Sequence, residues 1–421
     1  MIAEVPFKKH WLLGHTPHFA KDTLGFVLKC AEAKLPLAKA KIAFKEFIVL
    51  LDQEAITHVL QKNNKNYEKS FAYKGLKEFL GNGLLTAEGD EWLKNRRKLQ
   101  PAFHQKEIAK MQMAMQAVID KKLQETTLKK SIDLQKLFLE WTRDILLKAL
   151  FDLSPGEVEG MEHLHNNLWT LRTYANNRMK NPMMLPPGWP TKANKEFKAS
   201  MSELESIISN IFKASREKEN SSLLIQQMIE ALKTNNWNDQ QIFDEIITIF
   251  LAGQETTTNA LVFLCYLMSK YPETIDKVND TENPLNWEHV INETMRLYPP
   301  AWAVSRNTLE DDIILGEKIN AGSTVFLSIY AMHRHPQLWE KPNDFFPERF
   351  IGSYPRQAFI PFGTGQRICI GNHFAMLEMK LIAQSLFNNF SIAPNKNDLK
   401  LITPITLGIR GGLHAIFSHK A

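Results

Sequence analysis

Apolar positions recur at three- and four-residue spacing along most of this 421-residue chain, from Glu91 onward. That period predicts amphipathic helices. The longest begins at Asp239, read as an N-cap, and stops at Pro272. A helix over that span is roughly 45–50 Å long at 1.5 Å per residue. Another runs from residue 287 to 297 and ends before Pro299 and Pro300, and a third covers 372–387. Two-residue alternation is confined to short runs. Residues 37–44 and 47–51 read as a hairpin with its turn near Lys45 and Glu46, and 313–319 and 324–330 as short strands. Asp52 is placed to cap a short helix ending near Gln61. Residues 67–90 read as irregular, 181–190 (NPMMLPPGWP) as a proline-rich break and 217–222 as a polar linker. The picture is mainly α with small β-sheets, without internal repeats.

Composition narrows the class. A 44% hydrophobic content supplies a large core. Basic residues exceed acidic ones by five, too few to imply a nucleic-acid partner. No run of 18 apolar residues predicts a membrane anchor, and Lys8, Lys9 and His10 precede no apolar stretch of a signal peptide. The three cysteines, Cys30, Cys265 and Cys369, are too sparse for a disulfide framework, so a reducing cytoplasm is expected.

The chemistry concentrates in residues 362–371, FGTGQRICIG. Gly363 and Gly365 permit a tight turn that aims backbone amides at the Cys369 sulfur. The helix that follows lowers the thiol pKa through its N-terminal dipole. Gly371 lets a flat macrocycle approach the backbone, and Arg367 is placed for an anionic propionate. A zinc reading fails, because no second cysteine or ligand pair lies nearby.

The spacing F-x-x-G-x-R-x-C-x-G resembles the haem-binding loop of the cytochrome P450 family. Ala252-Gly253-Gln254-Glu255-Thr256-Thr257 on the long helix is similar to that family's [AG]-G-x-[DE]-T-[TS] signature. A glycine inside a helix costs roughly 1 kcal/mol against alanine and asks for a reason; a locally opened helix is expected there. Glu293 and Arg296 form E-x-x-R, followed by Pro347-Glu348-Arg349-Phe350, and Trp92 and Arg96 form W-x-x-x-R. The stretch from His333 through His335 to Trp339 is similar to a structural H-R-x-P-x-x-W segment of the family, which is preferred here over a metal site.

The resemblance spans the chain from about Trp11 to its end. It implies the cytochrome P450 fold, a triangular helical prism plus a β-rich lobe (about 35–60 with 299–330), built as a single domain over 1–421. It implies a haem-thiolate monooxygenase: Cys369 ligates the iron of haem b (iron protoporphyrin IX), and O2 is co-substrate. Phe362, Gly365, Arg367, Gly371, Trp92, Arg96 and Arg306 hold the haem, and Glu255 and Thr256 guide protons. That acid–alcohol pair argues against peroxide-driven branches of the family. Glu293, Arg296 and Arg349 brace the cysteine loop.

Only about fifty residues follow Cys369, so electrons are expected from a separate ferredoxin or flavodoxin with an NAD(P)H-dependent reductase. Lys94, Arg97 and Lys98 offer a basic docking face, and a monomer is expected. By family position, substrate contacts fall in 70–74, 166–177, 249–253, 301–304 and 403–407, with Phe71, Tyr73, Ala252, Trp302 and Val304 singled out. Asn166, Asn167, Arg172, Asn176 and Asn177 favour an oxygenated substrate such as a methylated sugar; Trp169, Trp302 and the methionines suit a fatty acid or terpenoid equally. Met183 and Met184 suggest an access loop. A haem-thiolate sensor without turnover is the alternative from another class, though no output domain is visible.

Overall fold

Asn238 opens the longest helix, its side-chain oxygen accepting the Gln241 amide at 2.9 Å. The helix then runs Asp239–Lys270 over 32 residues. Asp239, expected as the cap, is its first residue instead, with its charge in the first turn where the helix dipole favours an anion. The computed structural model describes residues 2–42, 45–126, 128–180, 184–219, 221–395 and 398–420. The chain divides into two compact units. The first takes the chain up to Phe71, then Phe263–Cys369 and Leu399–Arg410; the second takes Ala72–Val262, Ile370–Asp398 and the chain from Gly411.

The first unit is organised by a six-stranded sheet. Its spatial order is Ala3–Glu4, Leu37–Ile42, Lys45–Leu50, Thr324–Ser328, Ala303–Thr308 and Tyr67–Lys69. The hairpin pairs Leu37 with Leu50 through Ile42 with Lys45. Lys45 and Glu46 are therefore in the strand, not at a turn. The expected strand 313–319 is two, Asp312–Ile314 and Glu317–Ile319, because Leu315 and Gly316 adopt φ of 51° and 80° and reverse the chain. Residues 324–330 also divide: after Ser328 the chain turns into the short helix Ile329–Met332, whose Ala331 amide bonds the Ser328 hydroxyl. Alternate strand residues Ile48, Leu50, Val325 and Leu327 share a core with Ile56, Val59, Trp339 and Phe350.

The second unit is helical, with Gly89–Leu99, Leu134–Phe151, Leu164–Lys180, Lys192–Arg216 and Asn372–Asn389 as its main elements. A three-stranded sheet orders Phe390–Pro394, His414–His419 and Ser131–Asp133. Phe151 stacks on Phe250 at 5.4 Å. Residues 67–90, expected to be irregular, include the helix Lys74–Leu80, which buries Leu76, Phe79 and Leu80. Part of the proline-rich break and Met183 lie outside the described residues. Beyond them Asn194 ties the chain down, donating to the Pro186 and Trp189 carbonyls at 2.7 and 2.8 Å.

Candidate active site

In the first unit the cysteine loop is a sequence of tight turns. The Gly363 amide bonds Ile360 O, Ile368 bonds Gly365 O, and the Cys369 amide bonds Phe362 O at 2.9 Å. Gly363 and Gly365 have φ of 71° and 72°, which L side chains avoid. At Gly365 there is also no room: a Cβ would sit 2.0 Å from the Leu60 carbonyl oxygen. The loop thus rests on the His58–Lys62 turn, with Gln61 donating to the Thr364 hydroxyl at 2.6 Å. Cys369 is exposed at the end of this rigid segment, while Cys30 and Cys265 are buried. Burial pushes the Cys30 thiol up to about 12 and the Cys265 thiol higher still. Neither can offer a thiolate.

Behind the loop, Glu293 and Arg296 meet bidentately at 2.7 and 2.9 Å, both fully buried. Arg349 reaches the same carboxylate at 3.2 Å, and the Phe346 amide bonds it at 2.8 Å. Arg296 spends its remaining donors on the carbonyls of His333, Pro342 and Asp344. Its guanidinium lies over Trp339, 5.2 Å from the ring centroid. The His333 ring then accepts the Ile360 amide at 2.9 Å, nine residues before Cys369. Burial, then the Arg296 charge, push the imidazole down to about 3, so it stays neutral and can accept. His333 is thus a hydrogen-bonded link between the charged network and the cysteine loop, a connection the H-x-H spacing did not reveal.

Does the first unit fit a haem? Arg306 is buried, and its guanidinium bonds only the Ser305 carbonyl at 2.8 Å, with no carboxylate partner among the described residues. A buried cation without a counter-ion is costly and suits an anionic ligand group. With an accessible thiol on a fixed loop, the residues present fit a haem-thiolate group. Phe362 and Arg367 are half-buried on the same loop. Phe71 lies beneath the Lys45 ammonium at 3.8 Å. Trp302 is buried 6.0 Å from Phe326, and Val304 packs on the sheet core.

In the second unit, Trp92 and Arg96 stand one turn apart on the Gly89–Leu99 helix, Trp92 buried and Arg96 half-buried. Lys94 and Arg97 are exposed and Lys98 half-buried. Gly371 precedes the Asn372–Asn389 helix, and Tyr73 is half-buried. On the long helix, Gly253 owes its place to packing: a Cβ there would touch both Leu146 methyls at 3.2 Å. The helix stays continuous at this point, contrary to the expected opening. Thr256 donates to the Ala252 carbonyl at 2.6 Å, and Ala252 beside it is exposed.

Glu255 forms an ion pair with Arg172, both side chains largely buried. The Arg172 guanidinium also covers the Trp169 ring at 4.3 Å, and burial pushes it down to about 10. A cleft lined by Gln135, His165, Trp169, Arg172, Gln254 and Glu255 opens beside the pair. Burial, and secondarily Arg172, hold the His165 imidazole below its usual range. Of the other polar residues on the Leu164–Lys180 helix that carries Arg172, Asn166 and Asn177 are exposed and Asn167 is buried.

Two acids of this unit were missed by sequence reasoning. Glu378 is fully buried on the Asn372–Asn389 helix, its carboxyl raised well above normal by burial and opposed by the Thr257 hydroxyl. Glu245 is fully buried on the long helix and pushed up to about 8 by burial. It accepts the Leu84 amide and the Gln241 side chain. The available signal was an acid inside an apolar stripe: Phe374, Glu378, Leu381 and Ile382, or Ile242, Glu245 and Ile246.

Comparison with known proteins gives the family. The cytochrome P450 family model matches residues 5–281 and 287–411. The chain is 29% identical to the putative cytochrome P450 132 of Mycobacterium tuberculosis, covering 90% of this chain and 89% of that one. It is 28% identical to cyclooctatin synthase of Streptomyces melanosporofaciens, covering 93% and 92%. It is 26% identical to the same organism's cyclooctat-9-en-7-ol 5-monooxygenase, covering 91% and 88%. The family implies a haem-thiolate cofactor and a redox partner. No helix among the described residues is long and apolar enough to cross a membrane. The chain belongs to the cytochrome P450 family and is a cytochrome P450 monooxygenase.

Proposed function

We propose that this monooxygenase holds haem b through the Cys369 thiolate and inserts one atom of O2 into a largely hydrocarbon substrate of the terpenoid or fatty-acid kind. Thiolate-ligated haem supplies O–O bond cleavage, because the sulfur pushes electron density onto iron. Arg306, Arg96, Trp92 and Arg367 hold the propionates, Phe362, Gly365 and Gly371 shape the surface that meets the ring, and Glu293, Arg296 and Arg349 brace the loop through His333. Thr256, whose hydroxyl now bonds the Ala252 carbonyl, and Glu255 guide protons in this reading, and Glu255 takes up and passes on a proton only once it leaves its ion pair with Arg172. Electrons come from a separate ferredoxin or flavodoxin with its NAD(P)H-dependent reductase, docking on Lys94, Arg97 and Lys98.

The observation that carries the substrate class is the Arg172–Glu255 pair. Arg172 is the one charged member of the five polar residues expected to favour a sugar-like ligand, and its charge is committed to Glu255. Phe71, Trp302 and Val304, at expected substrate positions, are apolar. The relative named for an unsaturated alcohol, cyclooctat-9-en-7-ol, supports the same class. Spectral titration of the ferric enzyme with terpenoid alcohols, fatty acids and methylated sugars tests this reading. Terpenoid alcohols or fatty acids should shift the Soret band, whereas a shift with methylated sugars alone would overturn the substrate class.

A further inference from the structure

Residues 10–14 of the first unit form a small closed turn. His10 and Gly14 exchange backbone hydrogen bonds at 2.8 and 3.0 Å. The His10 ring Nδ1 accepts the Leu12 and Leu13 amides at 3.2 and 3.1 Å. The Leu13 carbonyl accepts the Thr16 hydroxyl at 2.6 Å. Gly14 seats the turn on the Leu37–Ile42 strand: its φ is 61°, and a Cβ would lie 2.4 Å from the Lys41 carbonyl oxygen. His15 completes the seat, its amide bonding Lys41 O and its ring accepting the Lys41 amide.

What this turn displays is Trp11, Leu12 and Leu13, with exposures of 87%, 48% and 37%. Three consecutive large apolar side chains held out in water need an explanation. The charge of this part of the chain supplies a direction, although Lys9 and Lys39 are paired with Glu4 and Glu46. The first 45 residues hold eight lysines against three carboxylates, an excess of five that equals the net charge of the whole chain. Lys8 and Lys41 flank the turn and have no carboxylate partner among the described residues.

We propose that the 10–14 turn is a contact for the surface of an anionic bilayer, with Trp11, Leu12 and Leu13 entering the headgroup layer and Lys8 and Lys41 facing lipid phosphates. A convex apolar tip with a cationic rim matches that layer. Indole rings prefer the interface, lysine stems reach back toward phosphate, and each basic residue adds attraction to anionic lipid. The Leu12 and Leu13 amides are already satisfied inside the turn, so inserting it strands neither donor. The turn is also pre-ordered, so binding spends little conformational entropy. This is attachment to one face of a membrane, not a span, and it stands independently of the substrate reading.

The test is co-sedimentation of the full-length holoenzyme with vesicles of mixed phosphatidylglycerol and phosphatidylcholine, and with phosphatidylcholine alone. The wild-type protein should bind the anionic vesicles, and high salt should weaken it. A W11S/L12S/L13S variant should bind at least about tenfold more weakly, and K8E/K41E should lose the preference for anionic lipid. Unchanged thermal melting and CO-difference spectra will show that the variants fold. No binding by the wild-type protein, or equal binding by the triple variant, overturns the proposal. Self-association that the triple variant abolishes, without vesicle binding, would assign the turn to a second copy instead.

Discussion

Glu293 uses both carboxylate oxygens on three partners, and two of those partners are arginines with no other carboxylate partner among the described residues. Glu293→Gln leaves the buried Arg296 without its counter-charge, which should cost about 3–5 kcal/mol. Urea unfolding measures that loss, and the purified variant should retain less haem; a loss below about 1 kcal/mol would mean the network braces nothing. Arg172→Gln strands Glu255 in the same way, at about 2–4 kcal/mol given its slight exposure. Arg172→Lys should recover most of it. An Arg172→Gln protein as stable as wild type would show the pair to be a solvated contact. Sequence distinguished these two arginines poorly. Arg296 was legible because E-x-x-R and a later arginine stand in a known order. Arg172 was one of several polar residues on a helix, and spacing alone does not say which carboxylate a long side chain will reach.

The cysteine loop and the long helix show how backbone geometry selects residue types. Gly365 is required twice, by its positive φ and by the Leu60 carbonyl it nearly touches. Gly365→Ala should therefore leave far-UV circular dichroism intact while weakening haem retention; unchanged haem content would contradict the role given to the loop. Gly253 differs. Its φ is ordinary, and Leu146 is its constraint, so the sequence cost was visible and the packing reason was not. Helices were legible wherever apolar residues repeat at helical spacing, and Trp287–Leu297 follows the pattern from end to end. The misreadings came where short signals compete. Leu315 and Gly316 split a strand, Asn238 displaced Asp239 as cap, and Lys74–Leu80 hid behind the glycines around it.

Buried acids tie the fold to pH. Glu245 has a folded pKa of about 8 against an ordinary 4.5, so the folded chain binds its proton more tightly than the unfolded chain does. That contribution is fully present below about pH 4.5 and is lost as pH rises through about 8. Asp244 and Glu378 are shifted upward as well, with the same sign. Urea midpoints should therefore fall between about pH 5 and 9, and Glu245→Gln should flatten part of that fall; superimposable profiles would remove Glu245 from the account. The size of the basic excess was legible from composition, but its gathering in the first 45 residues was not drawn from it. The exposed turn it surrounds was not, because exposure depends on the packing of distant segments. The central claim concerns one sulfur. The CO-difference spectrum of the reduced enzyme reads its bond to iron directly. The account predicts a Soret band at the thiolate-haem position that Cys369→Ser abolishes, whereas a band at the histidine-haem position, or a thiolate band surviving in Cys369→Ser, would contradict it.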